Sequence, residues 1–266
     1  MILIDEDLLR DSRYRGTYRL HSAYRNVRNY ISDNQSLVSL VNNRVSMGPA
    51  RIRLDGDMAL TDNVPEDLPS ITGHIVSFPL IKGPLHLWEC TLPAIDRKNV
   101  SGMKETLERV LREEKPVIFD LSSRIDGMMI EMIDETLKKA GAEELGALIG
   151  FGPGLTPLGD DVLMGYMFGK NLFDPDSAFN QAVYEAAEKR TTRVSSEFLY
   201  QMAKGRYSDD LRMAAEELSG TRPETGALQR VLRYGHSSGW GILRGFYGYL
   251  QQLSRKENTW RSTQKY

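Results

Sequence analysis

Two hydrophobic periods divide the chain near residue 95. Before it, short apolar runs alternate with turn signals. Tyr18–Tyr24, Leu37–Val41, Ala50–Leu54, Met58–Leu60, His74–Phe78 and Leu85–Leu92 are separated by Asn42-Asn43, Asp55-Gly56-Asp57, Asp62-Asn63 and Lys82-Gly83-Pro84. Runs of this length bounded by Gly, Pro, Asn and Asp read as strands. Arg51–Leu54 and Met58–Thr61 flank Asp-Gly-Asp and give the clearest hairpin signal. The pattern predicts a small antiparallel β barrel or sandwich over residues 1–95.

From residue 100 the period becomes 3.6. Ser101 is placed to cap a helix through Glu114, with Met103, Leu107, Val110 and Leu111 on one face. Gly127–Ala140 repeats the pattern through Met128, Ile130, Met132, Ile133 and Leu137. Further helices are predicted over Pro157–Phe173, Ser177–Lys189, Thr192–Lys204, Asp209–Leu218, Glu224–Tyr234 and Ser237–Leu253. Short connections imply antiparallel neighbours, and the methionines read as core filler. The fold class is α+β: a β domain over 1–95, a helical domain over 96–254 and a polar tail over 255–266.

Composition narrows the function classes. Lys and Arg total 34 against 36 Asp and Glu, a net charge of −2, so nothing argues for nucleic acid or an anionic membrane. The single cysteine, Cys90, excludes a disulfide framework and thiolate metal sites, and reads as a small buried hydrophobe. The acidic N-terminus lacks a signal-peptide core, and no run approaches about 18 apolar residues. A cytoplasmic location with no membrane partner is expected.

The densest chemistry lies in Gly150-Phe-Gly-Pro-Gly-Leu-Thr-Pro-Leu-Gly-Asp-Asp161. Glycines at 150, 152 and 154 uncover backbone amides, Thr156 suits an N-cap and Pro157 a first helical position. The helix that follows would aim its positive end into the loop, making Gly152, Gly154 and Thr156 candidate anion contacts. Asp160 and Asp161 can serve the dipole, a metal or a substrate proton. The plainer alternative is that one carboxylate binds the loop backbone while the other is solvated. Neither a Walker A loop nor a dinucleotide fingerprint fits the spacing. A second strip, Gly235-His-Ser-Ser-Gly-Trp-Gly241, again places small residues at a helix start. Ser237 or Ser238 can cap that helix, and His236 is a candidate proton donor or anion contact. Gly239, Gly241, Gly245 and Gly248 leave a bare face that implies a neighbouring backbone or a ligand.

Together the two strips, with Thr191-Thr-Arg-Val-Ser-Ser196 and Ala203-Lys-Gly205 between them, resemble the AllH family over roughly residues 145–250. That family is typified by a subunit of oxamate carbamoyltransferase, a multi-subunit enzyme of allantoin catabolism. The resemblance implies carbamoyl transfer between carbamoyl phosphate and an oxamate-like acceptor, with other subunits as partners. Under it, Arg190 or Arg193 would supply a cation to the phosphate. Asp160 or Asp161 would orient the acceptor nitrogen or hold Mg²⁺, and His236 would steer a proton. No cofactor is required, and Mg²⁺ is the one candidate. Two other readings stay open: a stand-alone Mg²⁺-dependent enzyme on a phosphorylated or carboxylated metabolite, and a non-catalytic scaffold subunit sensing a small anion.

Overall fold

The computed structural model describes residues 1–54, 70–72, 75–77, 84–113, 124–139, 142–175 and 177–263. They form two compact units, one of residues 1–91 with 206–209, the other of 92–205 with 210–266.

Among the described residues of the first unit, alternating and β-branched sequences build eight strands. They are β1 (Ile2–Asp5), β2 (Gly16–Ala23), β3 (Val27–Ser32), β4 (Leu37–Asn42), β5 (Arg51–Leu54), β6 (Ser70–Thr72), β7 (Ile75–Ser77) and β8 (Leu85–Trp88). One short helix, α1 (Asp7–Arg10), follows β1. The strands form one sheet in the order β7-β6-β2-β3-β4-β5-β1-β8. The sheet is mixed rather than purely antiparallel, because β4–β5 and β1–β8 pair in parallel. Ile2, Ile4, Leu8, Tyr30, Leu40 and Ile52 pack into its core.

The hairpin expected from Arg51 to Thr61 does not form as read. Both edges of β5 are already occupied, Ile52 lying opposite Ile4 on one side and Leu40 on the other. Its second arm lies outside the described residues, as does the Met58–Leu60 run. Long-range pairing with β1, a strand the turn pattern missed, overrides the local signal.

Arg206–Asp209 belong to this unit although the chain reaches them only after the helix Arg193–Ala203 of the second unit. Arg206 pairs with the buried Asp5 at 2.5 Å, and Asp5 also accepts the Ala50 N–H at 2.7 Å. Burial pushes the Asp5 carboxyl up to about 6 against the pull of both partners. Cys90 is half-buried rather than buried, and its sulfur meets the Tyr207 backbone N–H at 3.4 Å.

The second unit holds α2 (Val100–Glu113), α3 (Arg124–Lys139), α4 (Ala142–Gly146), α5 (Leu158–Phe173) and α6 (Ser177–Ala187). It continues with α7 (Arg193–Ala203), α8 (Asp209–Ser219, its first residue in the first unit), α9 (Ala227–Leu232) and α10 (Ser238–Thr263). The α+β class is that expected. Ser101 is not the cap it was read as: α2 starts one residue earlier, after a 3₁₀ turn in which Asp96 accepts the Lys98 N–H at 2.9 Å. On α3, Ile133 and Leu137 face inward while Met128 and Met132 are exposed, so these methionines are not core filler. The tail expected from residue 255 is helical as far as Thr263, since α10 runs past Leu253. None of the described helices is long and apolar enough to cross a membrane.

The centre of this unit is the pairing of α5 with α10. α5 is buried on every side, with Val162, Leu163, Met167 and Phe168 among its buried residues. A helix of that kind needs close neighbours all round. Gly165 and Gly245 make the approach possible. A Cβ on Gly165 would lie 1.8 Å from the Ile242 carbonyl oxygen, and one on Gly245 would lie 1.9 Å from that of Val162. Edge-on ring pairs, Tyr166–Tyr249 and Phe168–Phe246, close the seam further along.

Candidate functional site

The loop entering α5 is built by glycines in conformations other residues avoid. Gly150, Gly152 and Gly154 have φ of 72°, 110° and 101°. At Gly150 space is limiting too, since a Cβ would lie 2.4 Å from the Arg190 carbonyl oxygen. Arg190 therefore meets the loop through its backbone, and its side chain is exposed.

Asp160 locks this loop. Its Oδ1 accepts the Gly150 N–H at 2.8 Å, and its Oδ2 accepts the Thr191 hydroxyl. Burial raises its pKa, opposed by those two donors, the Ser195 hydroxyl and the Arg190 charge. Next to it, Thr192 caps α7 by accepting the Ser195 N–H at 3.1 Å, and its hydroxyl donates to the Leu155 carbonyl. The Thr-Thr pair thus ties the start of α7 to both ends of the loop.

Asp161 is the exception. It is fully buried, and neither carboxylate oxygen has a hydrogen bond of ordinary geometry. The alternative of a solvated second carboxylate is thereby corrected. The 100° step between helix neighbours turns Asp161 away from the loop and towards α10, where a Cβ on Gly241 would lie 2.8 Å from its own Cβ. Burial drives its pKa well above the ordinary carboxylate value, the nearby Ser238 hydroxyl opposes this, and the Asp160 charge adds to it. Ser238 Oγ itself lies 2.8 Å from Thr156 Oγ1. An orphaned buried carboxylate is expensive to keep, and such groups gather at functional sites.

The Thr156–Ser238 contact brings the two glycine-rich strips together in one chain. Thr156 is not the N-cap it was read as. Pro157 holds that position, and no side chain caps the helix. The first-turn amides are largely used internally: Gly159 N–H donates to Phe151 O at 2.8 Å, and those of Asp160 and Asp161 donate to Pro157 O. His236 is exposed, and Ser237 contributes its carbonyl to the Gly241 N–H at 2.9 Å. Arg193 sits half-buried in the first turn of α7.

Beside Asp160, two residues passed over as candidates, Ser195 and Ser196, are fully buried with hydroxyls that lack a hydrogen bond of ordinary geometry. Their signal was the Ser-Ser pair inside an otherwise apolar helix pattern. A metal fits poorly. Both Asp160 oxygens are committed, and among the described residues no group of three or more His, Cys, Asp or Glu could hold an ion.

Residues 148–250 match the family model of AllH, described as oxamate carbamoyltransferase subunit AllH. No curated protein matches the chain significantly. No solved structure does so either. The matched region holds the loop, both aspartates, the Thr-Thr and Ser-Ser pairs and Ser238.

Proposed function

We propose that the chain is a subunit of an oxamate carbamoyltransferase-type enzyme and that Asp161 is its proton-handling group. The observation that carries this reading is the orphaned Asp161 carboxylate, buried where the glycine loop meets α10 inside the AllH-matched region. In the reaction an acceptor amide nitrogen attacks the carbamoyl carbon of carbamoyl phosphate. The bond from that carbon to the phosphate oxygen breaks, the phosphate leaves with the electron pair, and the nitrogen gives up a proton. A carboxylate whose affinity for a proton is raised by burial is suited to take that proton. Asp160 acts through the loop, holding Gly150 and Thr191 in place.

Asp161 is closed off in this conformation, so substrate reaches it by parting Thr156 from Ser238. The exposed Pro153 and Gly154 at the tip of the loop support such a movement. The internal use of the first-turn amides supports a division of labour in which partner subunits hold most of the phosphate charge. That favours shared catalysis over a stand-alone enzyme, and no step requires Mg²⁺.

The test is carbamoyl transfer by the complex reconstituted with its partner chains. Asp161→Asn should lower turnover by about 10²-fold or more, the range of lost general acid–base catalysis, without loss of folded protein. Turnover within threefold of wild type would remove Asp161 from the chemistry. Loop variants that leave activity intact would point to the scaffold role instead.

A further inference from the structure

A groove of about 390 Å³ lies between α2, α3 and α10. Trp240, Arg244, Tyr247, Gln251 and Arg255 line it at spacings of three and four residues, which places them on one stripe of α10. The α2 wall brings Glu108 and Arg112, and the α3 wall Asp134 and Lys138. Four cations of the lining therefore face two carboxylates, and since Lys138 also pairs with Glu135 at 3.1 Å the excess is one positive charge.

Both carboxylates are already engaged. Asp134 accepts from Arg244 Nε at 2.9 Å and from Nη2 at 2.5 Å, and Glu108 pairs with Arg112 at 3.0 Å. The Asp134 bond fixes the Arg244 guanidinium, which also stands 5.2 Å from the centre of the Tyr247 ring. Its third nitrogen, Nη1, is buried without an acceptor, and so is the indole Nε1 of Trp240. Two buried donors lacking acceptors, in residues that line a cavity with surplus positive charge, describe a site short of an anion. A volume of this size suits a small metabolite.

We propose that this groove binds a small organic or inorganic anion carrying at least two negative charges, through Arg244 Nη1 and Trp240 Nε1, with Arg112, Lys138 and Arg255 at the rim. The site is separate from the Asp161 centre. Gly241 and Gly245 turn another stripe of α10 towards α5, and half of the groove comes from helices outside the AllH-matched residues. The shared chemistry is a pair of anionic oxygens, supplied by a phosphate or by a dicarboxylate.

Isothermal titration of the full chain at low ionic strength, with inorganic phosphate and with succinate in parallel, tests this. At least one probe should bind with Kd of about 1 mM or below, and added salt should weaken it. The tighter probe identifies the source chemistry. Arg244→Gln should weaken binding at least tenfold, and Trp240→Phe and the exposed Arg112→Gln severalfold each. If Arg244→Gln does not fold, the other two variants carry the test. Thr156→Val, at the other site, should bind as wild type does. The proposal is overturned if neither probe binds, if the groove variants bind as wild type does, or if Thr156→Val abolishes the binding.

Discussion

In the loop before α5, Gly150, Gly152 and Gly154 hold φ between 72° and 110°. On α10, Gly241 and Gly245 are ordinary helical residues whose missing side chains leave room for α5. The two strips read alike in sequence, as small residues at a helix start, but backbone conformation demands glycine in one and interhelical distance demands it in the other. Only the first bends the chain around a buried carboxylate. The second lets the neighbouring carboxylate be sealed, since Gly241 lies against Asp161.

The difference is most exposed at Gly245. A Cβ there would meet the Val162 carbonyl and the Tyr166 amide, both backbone, at 1.9 and 2.9 Å. Neither can move without shifting α5, so Gly245→Ala should destabilise by about 3 kcal/mol, measured by urea denaturation. A loss below about 1 kcal/mol would mean that the helices can slide apart, and the distance argument would fail. Gly248→Ala is the internal control. Its neighbours are the flexible Leu137 side chain atoms, so the gain in helix propensity should nearly offset the crowding.

In the loop, Gly150→Ala should cost about 2 kcal/mol, from the left-handed φ together with the Arg190 carbonyl. Gly154→Ala, with a similar φ and open space around it, should cost about 1 kcal/mol. Equal losses at both positions would show that φ alone decides, and that the Arg190 contact relaxes.

Thr156→Val separates the sequence reading from the structure. A lost N-cap would remove about 1–2 kcal/mol. Loss of the Thr156–Ser238 contact alone should remove about 0.5–1 kcal/mol, and should speed exchange of amides around the loop.

Asp161→Asn should be at least as stable as wild type at neutral pH. The folded pKa of Asp161 lies above the ordinary value of 3.8. Its contribution to stability is therefore full below about pH 3.8 and is lost as pH rises through the raised value. The variant lacks this loss, so its advantage should grow with pH across that window and vanish in acid. Stability against pH for both proteins checks the sign. A variant that loses stability relative to wild type as pH rises would mean that the ionised carboxylate has a partner in solution.

Much of this is legible in the sequence alone. Helix positions after residue 100 followed from the 3.6-residue period, because an amphipathic helix shows its buried face in its own sequence. The three alternate glycines marked the loop, because positive φ is a local requirement. The bare face of α10 implied a close neighbour. The proximity of aspartate and loop was legible as well, through Asp160.

Tertiary structure decided the rest, for a common reason: the deciding partner lies far along the chain. The pairing of β5 with β1 and β4 joins residues about 48 and 12 positions apart, and it displaced the hairpin that local turn chemistry favoured. Arg206 belongs with Asp5 because a buried carboxylate needs a cation, wherever in the sequence that cation lies. Asp160 and Asp161 are indistinguishable as adjacent letters. The 100° turn between them sends one to the loop amide and the other to the face of α10, so one is satisfied and the other orphaned. The sequence by itself determined that a carboxylate pair would stand at the head of α5, because helix periodicity and loop chemistry are local. Which of the two is left without a hydrogen bond of ordinary geometry was decided by the packing of α10, because burial and hydrogen-bond satisfaction depend on what covers a side chain.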